Sequence, residues 1–365
     1  MAEIRVKTKA IIGNIEKLYK ILSKHDIQWT LVVKMLSGND GILTKILNAP
    51  EIDKIHSIGD SRLSGLKKIK QIRPDIKTMY IKPTPIQFAK TVVEYADFSV
   101  HTSFTAIKAI SAAAVAQKKQ HKIIIMIELG ELREGIMREN LIEFYNNVFE
   151  LPNIEIVGLG TNLGCMYGIE PTYDKMIQLS LYKQLIEARF NKKLDLISGG
   201  SSITLPLIKK QFPKSVNHFR IGESIFMGVS PLDGKKFESL SIDAFEYSAT
   251  IIELEEKESI PDGVISDANV GHTSDEVHDA DDFSKSFKAI LDFGSIDVDH
   301  TELIPKDKSI EFIGTTSDMT VYELGTNKKP NGQPKYKIGQ KVRFTPSYMA
   351  VARLMNSKYI EKNII

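Results

Sequence analysis

The chain has 365 residues, 42% of them hydrophobic, which is ample for a large core or two and excludes a disordered chain. Acids (46) and bases (48) nearly cancel to a net charge of +2 and are interspersed, so the one-signed stripe of a nucleic-acid binder is absent. One cysteine, Cys165, rules out an intrachain disulfide and fits a reducing compartment; no apolar leader opens the sequence and no apolar run is long enough to span a bilayer, so a soluble cytoplasmic protein is expected.

In chain order, residues 9–24 carry apolar side chains at helical spacing (Ile11, Ile12, Ile15, Leu18, Leu22). Then comes Trp29-Thr30-Leu31-Val32-Val33-Lys34, a short run of β-formers ending in a lysine and followed by a polar turn containing Gly38 and Gly41. From there strands and helices alternate. Strands are expected at 54–59, 78–81, 97–100, 122–127, 154–159, 194–197 and 216–219, and helices at 42–47, 63–72, 86–95, 104–117, 140–149, 173–190 and 203–211. About eight strands, each followed by a helix-like segment within some 228 residues, imply a parallel sheet closed into a (β/α)8 TIM-type barrel. The competing architecture is a doubly wound open sheet, disfavoured because no GxGxxG follows an early strand.

Near residue 230 the rhythm changes. Ser230-Pro231-Leu232-Asp233-Gly234 reads as a linker, and beyond it short strands of period two are expected at 247–254, 287–293, 309–313, 319–324 and 341–344. The expected division is therefore a barrel over 1–229 and a mostly-β C-terminal domain over 230–365, with the acidic stretch Asp275–Asp282 as a solvated loop.

In a β/α barrel, chemistry sits at the carboxyl ends of the strands. Those positions here are Lys34, Asp60-Ser61-Arg62, His101, Arg133, Thr161-Asn162, Gly199-Gly200-Ser201-Ser202 and Arg220-Ile221-Gly222-Glu223. A strand-end lysine is ordinarily a side chain snorkelling to solvent. In a barrel mouth, desolvation would instead lower its pKa and expose the neutral amine that a Schiff base needs. Ser198–Ser202 is expected to be a turn that opens a helix, and with Ile221-Gly222 on the neighbouring strand it would form a phosphate cup of the kind found after strands seven and eight. A cup together with a lysine suggests a ligand bearing both a phosphate and an aldehyde, namely pyridoxal 5'-phosphate.

At this point a family resemblance enters. Val32-Val33-Lys34, Glu128–Gly135, Gly158–Leu163, Ile197–Ser202, His218–Glu223, Thr316-Ser317-Asp318 and Pro346-Ser347-Tyr348 follow one another as in the alanine racemase-like, fold-type III pyridoxal-phosphate enzymes, and most resemble the ornithine racemase group. The resemblance implies that Lys34 holds the cofactor and moves one proton. It implies that Ser201, or Ser202 in its place, holds the phosphate together with Ile221, Gly222 and Tyr348, with Asn162 also at the cofactor. Arg220 would face the pyridine nitrogen, and Arg133 would serve the reacting centre or the substrate carboxylate. Ser317 and Asp318 would lie near that carboxylate, supplied by the partner subunit of a homodimer. Since an arginine keeps its proton, the ring nitrogen would stay unprotonated, which suits racemisation over transamination. Two departures stand out: neither Met35–Asp40 nor 265–271 carries the tyrosine that alanine racemases have there. The second base is therefore unassigned, with Asp267 and Cys165 as candidates; the ordinary readings are a turn residue and a buried small hydrophobe.

The resulting expectation is a racemase of a free amino acid, ornithine or another basic one, for which Asp60, Glu223 and Asp318 are candidate acidic partners. The alternatives are a non-catalytic pyridoxal-phosphate carrier and a decarboxylase or lyase on the same fold. No metal, nucleic acid or membrane partner is expected.

Overall fold

The computed structural model describes residues 2–210, 212–264, 271–273 and 284–365. It divides into two compact units, Thr8–Ile242 and Met1–Lys7 with Asp243–Ile365.

The larger unit is a closed barrel of eight parallel strands, β2 Gln28–Val32, β3 Ser57–Asp60, β4 Thr78–Tyr80, β5 Phe98–His101, β6 His121–Met126, β7 Ile154–Gly160, β8 Leu196–Ser201 and β9 His218–Ile221. β9 pairs back onto β2 with Thr30 opposite Arg220 and Leu31 opposite Ile221, which closes the ring. The connecting helices are α2 Asp40–Leu47, α3 Leu63–Ile72, α4 Ala89–Tyr95, α5 Phe104–Ala116, α6 Leu141–Phe149 and α7 Tyr173–Phe190; α1 Thr8–Ser23 precedes β2 and α8 Glu223–Met227 follows β9. Polar side chains at helix starts fix several of these. Asn39 accepts from the Ile42 N–H, Ser103 from Ala106 and Thr172 from Lys175, so orphan amide groups of the first turn are satisfied. On α1, Ile11, Ile15, Leu18 and Leu22 are buried at helical spacing, while Asn14 is fully buried and bonds Ile225 O, Ser241 O and Ser241 N.

Strand side chains alternate between the barrel interior and the helix layer. The interior has an apolar side built from β4 to β8, including Met79, Val100, Ile124, Met126 and Leu196. It also has a polar side, where Thr30, Ser57, Ser198, His218 and Arg220 bond one another.

The smaller unit is a sheet in the order β11-β14-β15-β12-β10-β1-β17, with β16 pairing β10 and β13. Its strands are β1 Glu3–Val6, β10 Phe245–Glu258, β11 His272–Thr273, β12 Lys285–Leu291, β13 Leu303–Pro305, β14 Glu311–Thr315, β15 Thr320–Glu323, β16 Lys341–Pro346 and β17 Glu361–Ile364, and α9 Tyr348–Asn356 follows β16. Tyr247, Phe293, Tyr322 and Phe344 pack ring against ring in its core. β1 was not expected as a strand; it runs antiparallel to β10 and parallel to β17. The division lies at 242/243, not 229/230, and the opening residues belong to the sheet unit and not to the barrel. Among the described residues no helix is long and apolar enough to cross a membrane.

Candidate functional site

Lys34 follows β2 by two residues and opens a short 3-10 turn, Lys34–Leu36. Val33 beneath it is buried and its N–H donates to Gly59 O, so the lysine is held at the carboxyl rim of the barrel. Lys34 is exposed among the described residues, so the burial expected at a barrel mouth is not seen at this side chain. Its ammonium charge acts on two carboxylates, Asp60 at the end of β3 and Glu223 at the start of α8. Asp60 is 2% exposed, accepts from the Arg62 N–H (2.8 Å) and packs so closely on Gly65 that an added Cβ there would lie 2.3 Å from Oδ2. Burial pushes the Asp60 carboxyl up to about 6, against the backbone N–H groups of Arg62 and Ser61 and the charges of Arg62 and Lys34. Burial also raises Glu223, with Lys34 opposing it.

The expected Ser198–Ser202 turn is not a turn. β8 runs on through Ser201, and the register slips between Ser198 and Gly200, a β-bulge at Gly199. The glycines serve packing: a Cβ on Gly200 would meet the Phe219 ring at 2.3 Å, and one on Gly199 the Val216 side chain at 2.8 Å. Ser201 ends the strand and its N–H donates to Thr204 Oγ1 (3.1 Å). Ser202 opens a 3-10 helix, Ser202–Lys209, and its hydroxyl accepts from the Ser224 N–H (3.2 Å), tying this start to that of α8. The Ser202 hydroxyl hydrogen has no acceptor among the described residues. Ile221 ends β9, and Gly222 is a necessity of close approach, since a Cβ there would lie 2.8 Å from Val32 O.

Arg220 is 7% exposed and lies in the barrel interior below these turns. Its Nη1 donates to Ser198 O (2.9 Å) and Ser198 Oγ, and its Nη2 to Thr161 O (2.7 Å) and Asn162 Oδ1 (3.0 Å). The Nε–H has no acceptor among the described residues. Burial brings its pKa down to about 10, which leaves it a cation at neutral pH, with Glu134 supporting the charge. Asn162 Nδ2 donates in turn to Glu134, and Glu134 is paired with Arg133. Burial alone would raise the Glu134 carboxyl, but Arg133, Asn162 and Arg220 hold it below its ordinary range. Arg133 is thus committed to Glu134, and through Nη1 to the Cys165 sulfur. Cys165 is exposed, not a buried hydrophobe; its N–H, with those of Tyr167 and Ile169, donates to Glu131.

The rim therefore brings together Lys34, Asp60, Glu223, Ser201, Ser202, Ile221 and Gly222, with Arg220, Asn162 and, through Glu134, Arg133 beside or below them. Three expected residues belong to the other unit. Tyr348 opens α9 after Ser347, whose Oγ accepts from the Ala350 N–H. Ser317 and Asp318 form an exposed turn in which both Thr316 and Ser317 hydroxyls donate to Asp318 Oδ1. Asp267 lies outside the described residues. Ser198 and His218 were named from sequence only inside longer motifs, and Glu134 only as an ion-pair partner of Arg133. The first two were signalled by polar residues at alternate positions of strands that otherwise read as core.

An exposed amine, a cup of hydroxyl and N–H donors and a buried guanidinium with one N–H to spare suit a flat, anionic, carbonyl-bearing ligand. Residues 6–231 match the family described as "Alanine racemase, N-terminal domain". The chain is 31% identical to the ornithine racemase of Acetoanaerobium sticklandii over 365 residues, covering 100% of this chain and 99% of that one. It is 27% identical to the lysine racemase of Thermotoga maritima over 358 residues, 98% and 96% of the two chains. Among solved structures, the alanine racemase of Bartonella henselae with covalently bound pyridoxal phosphate superposes with a TM-score of 0.73 at 14% identity, over 100% of this chain and 99% of that one. Matched by the family model over well more than half its length, and by a curated relative from end to end, the chain belongs to the alanine racemase family.

Proposed function

We propose that this protein, a pyridoxal-phosphate-dependent amino-acid racemase, acts on a free basic amino acid, ornithine or a close homologue. The observation that carries the reading is the meeting on one barrel rim of the Lys34 amine, two carboxylates beside it and a buried, positively charged Arg220. Two relatives named for the diamino acids ornithine and lysine support the substrate class. The residues fit the cofactor: the spare Nε–H of Arg220 suits a ring nitrogen, and the spare hydroxyl hydrogen of Ser202 suits a phosphate oxygen. When bound, the cofactor supplies the electron sink that acidifies the substrate Cα–H.

The chain's own residues do the rest. Lys34 holds the cofactor through its Nζ and carries a proton to and from one face of Cα. Ser201, Ser202, Ile221, Gly222 and Tyr348 bind the phosphate. Arg220, held by four acceptors, would offer its Nε–H to the ring nitrogen, and a guanidinium there would favour an unprotonated ring and proton return at Cα. Asn162 and Glu134 hold Arg220 and Arg133 in one network; Ser317 and Asp318 from the partner subunit of a homodimer would meet the substrate carboxylate, and Arg133, whose Nε and Nη2 serve Glu134, would join them by turning Nη1 from Cys165. Asp60 is sealed by Gly65 and the Arg62 N–H, so Glu223 is the rim carboxylate with reach to a substrate's distal ammonium. Asp267 and Cys165 are the candidates for the opposite-face base. A cytoplasmic setting belongs to the same proposal and is supported by the single cysteine. A carrier role has less support, because the racemase relatives match over the whole chain.

The test is deuterium entry at Cα and loss of optical rotation across a panel of L-amino acids. Racemisation of ornithine or lysine at least tenfold faster than of alanine is expected; deuterium entry with retained configuration would refute a racemase.

A further inference from the structure

The polar side of the barrel interior is a single file of hydrogen bonds. It starts at Arg220 Nη1, which donates to Ser198 Oγ. Ser198 Oγ lies 2.8 Å from His218 Nδ1, His218 Nε2 lies 3.0 Å from Thr30 Oγ1, Thr30 Oγ1 lies 2.7 Å from Ser57 Oγ, and Ser57 Oγ lies 3.0 Å from His56 Nδ1. Ser198, His218 and Thr30 are fully buried, so no water competes for these groups. His56 is half-buried and lines a cleft of about 430 Å³ with Gln28, Lys54 and Lys77 at the opposite end of the strands.

The inventory of donors fixes the direction of this file from Arg220 to Thr30. A guanidinium only donates, so Ser198 Oγ accepts from Arg220 and has one hydrogen left. The acceptor within its reach is His218 Nδ1, which must therefore be bare. The ring hydrogen then sits on Nε2 and is donated to Thr30 Oγ1, whose own hydrogen has Ser57 Oγ and Met79 Sδ (3.7 Å) within reach. A His218 imidazolium would put a second donor on Ser198 Oγ and leave the serine hydrogen without an acceptor. The titratable or charged groups acting on His218 are His56 and Arg220, and neither favours a second proton. Burial likewise holds the His218 pKa well below its ordinary value.

We propose that His218 is a positioning residue for Arg220: held as the neutral Nε2–H tautomer, it takes the Ser198 hydrogen, locks the Ser198 lone pair onto Nη1, and so fixes where the spare Nε–H of Arg220 points. The proposal rests on the reading of Arg220 as the partner of the cofactor's ring nitrogen. A file in which every group is satisfied is rigid, whereas one missing member leaves buried donors and acceptors unpaired along its whole length.

The holoenzyme labelled with nitrogen-15 histidine has eight histidines to resolve by proton–nitrogen correlation. The signals that vanish in His218→Gln assign that ring, which is expected to stay neutral with its hydrogen on Nε2 from roughly pH 5.5 to 8.5. An Nδ1–H tautomer or an imidazolium at that residue would overturn the direction of the file. In turnover, His218→Phe keeps a ring but no ring nitrogen. Its kcat for racemisation is expected to fall by on the order of tenfold to a hundredfold with little change in KM. Conversion of bound cofactor to its pyridoxamine form per turnover should rise, and His218→Gln, which can still accept and donate, should recover most of the loss. If His218→Phe does not accumulate folded, Ser198→Ala cuts the same link and is expected to give the same split. A variant that melts earlier yet keeps the wild-type kcat and partition would refute the positioning role. Failure of the wild type to racemise at all would refute the functional reading instead, and the tautomer measurement would still stand on its own.

Discussion

Asp60→Asn removes a rim carboxylate that the fold buries. Asp60 is 2% exposed and burial lifts its carboxyl from 3.8 to about 6. An acid whose folded value is raised binds its proton more tightly in the folded state than in the unfolded one. The stability it contributes is full below pH 3.8 and is lost as pH rises through about 6. A difference of about two units corresponds to about 3 kcal/mol at most. Asparagine does not titrate, yet it keeps an oxygen for the Arg62 N–H. The stability of the variant relative to wild type should therefore grow between about pH 4 and pH 7 by up to about 3 kcal/mol, or roughly 6–12 °C in melting temperature for a unit of this size. Calorimetric melting of both proteins across that range measures it. Curves that stay parallel, or a wild type that gains on the variant above pH 6, would show that burial does not dominate at this carboxylate.

Lys34→Arg keeps the charge near Asp60 and Glu223 but removes the nucleophile; racemisation should fall below detection, and borohydride should no longer fix a pyridoxyl group on the chain, whereas it should label Lys34 in the wild type. Gly222→Ala places a Cβ 2.8 Å from Val32 O, so β9 and β2 must part at the cup; reconstitution titrations should show cofactor affinity weakened on the order of tenfold, from about 1–2 kcal/mol of strain, and unchanged affinity would remove Gly222 from the site. Glu223→Gln should raise KM for ornithine on the order of tenfold while leaving KM for a neutral amino acid nearly unchanged; equal effects on both would mean that Glu223 does not meet the distal ammonium.

The alternation of apolar runs and helical periodicity was enough to read the barrel, because a parallel strand buried on both faces and an amphipathic helix leave different spacings. Leu63–Ile72 and Tyr173–Phe190 fall where the spacing puts them. The reading failed where a strand is not apolar. Ser198–Ser201 is composed like a turn, yet it is strand, because the inward side of β8 faces Arg220 and its glycines make room for Phe219 and Val216. Arg133 was legible as a rim residue, and a pairing with Glu131 or Glu134 was its ordinary reading; the structure pairs it with Glu134. His218 gave only one polar letter in a short strand, and its place in the file depends on Thr30 and Ser198, which are far away in sequence. β1 is four residues long, too short for any periodicity, and both of its partners lie more than two hundred positions downstream.

That last pairing bears on the order of assembly. Glu3–Val6 leaves the ribosome ahead of every barrel strand, but its neighbours Phe245–Glu258 and Glu361–Ile364 are made after all of them. During synthesis the barrel segment has its own complete set of pairings and can close early, while the leading strand is kept waiting for the final one. The sheet unit is thus the late step of maturation, and an interruption of translation between the barrel and Phe245 would leave Glu3–Val6 without either of its two strand partners.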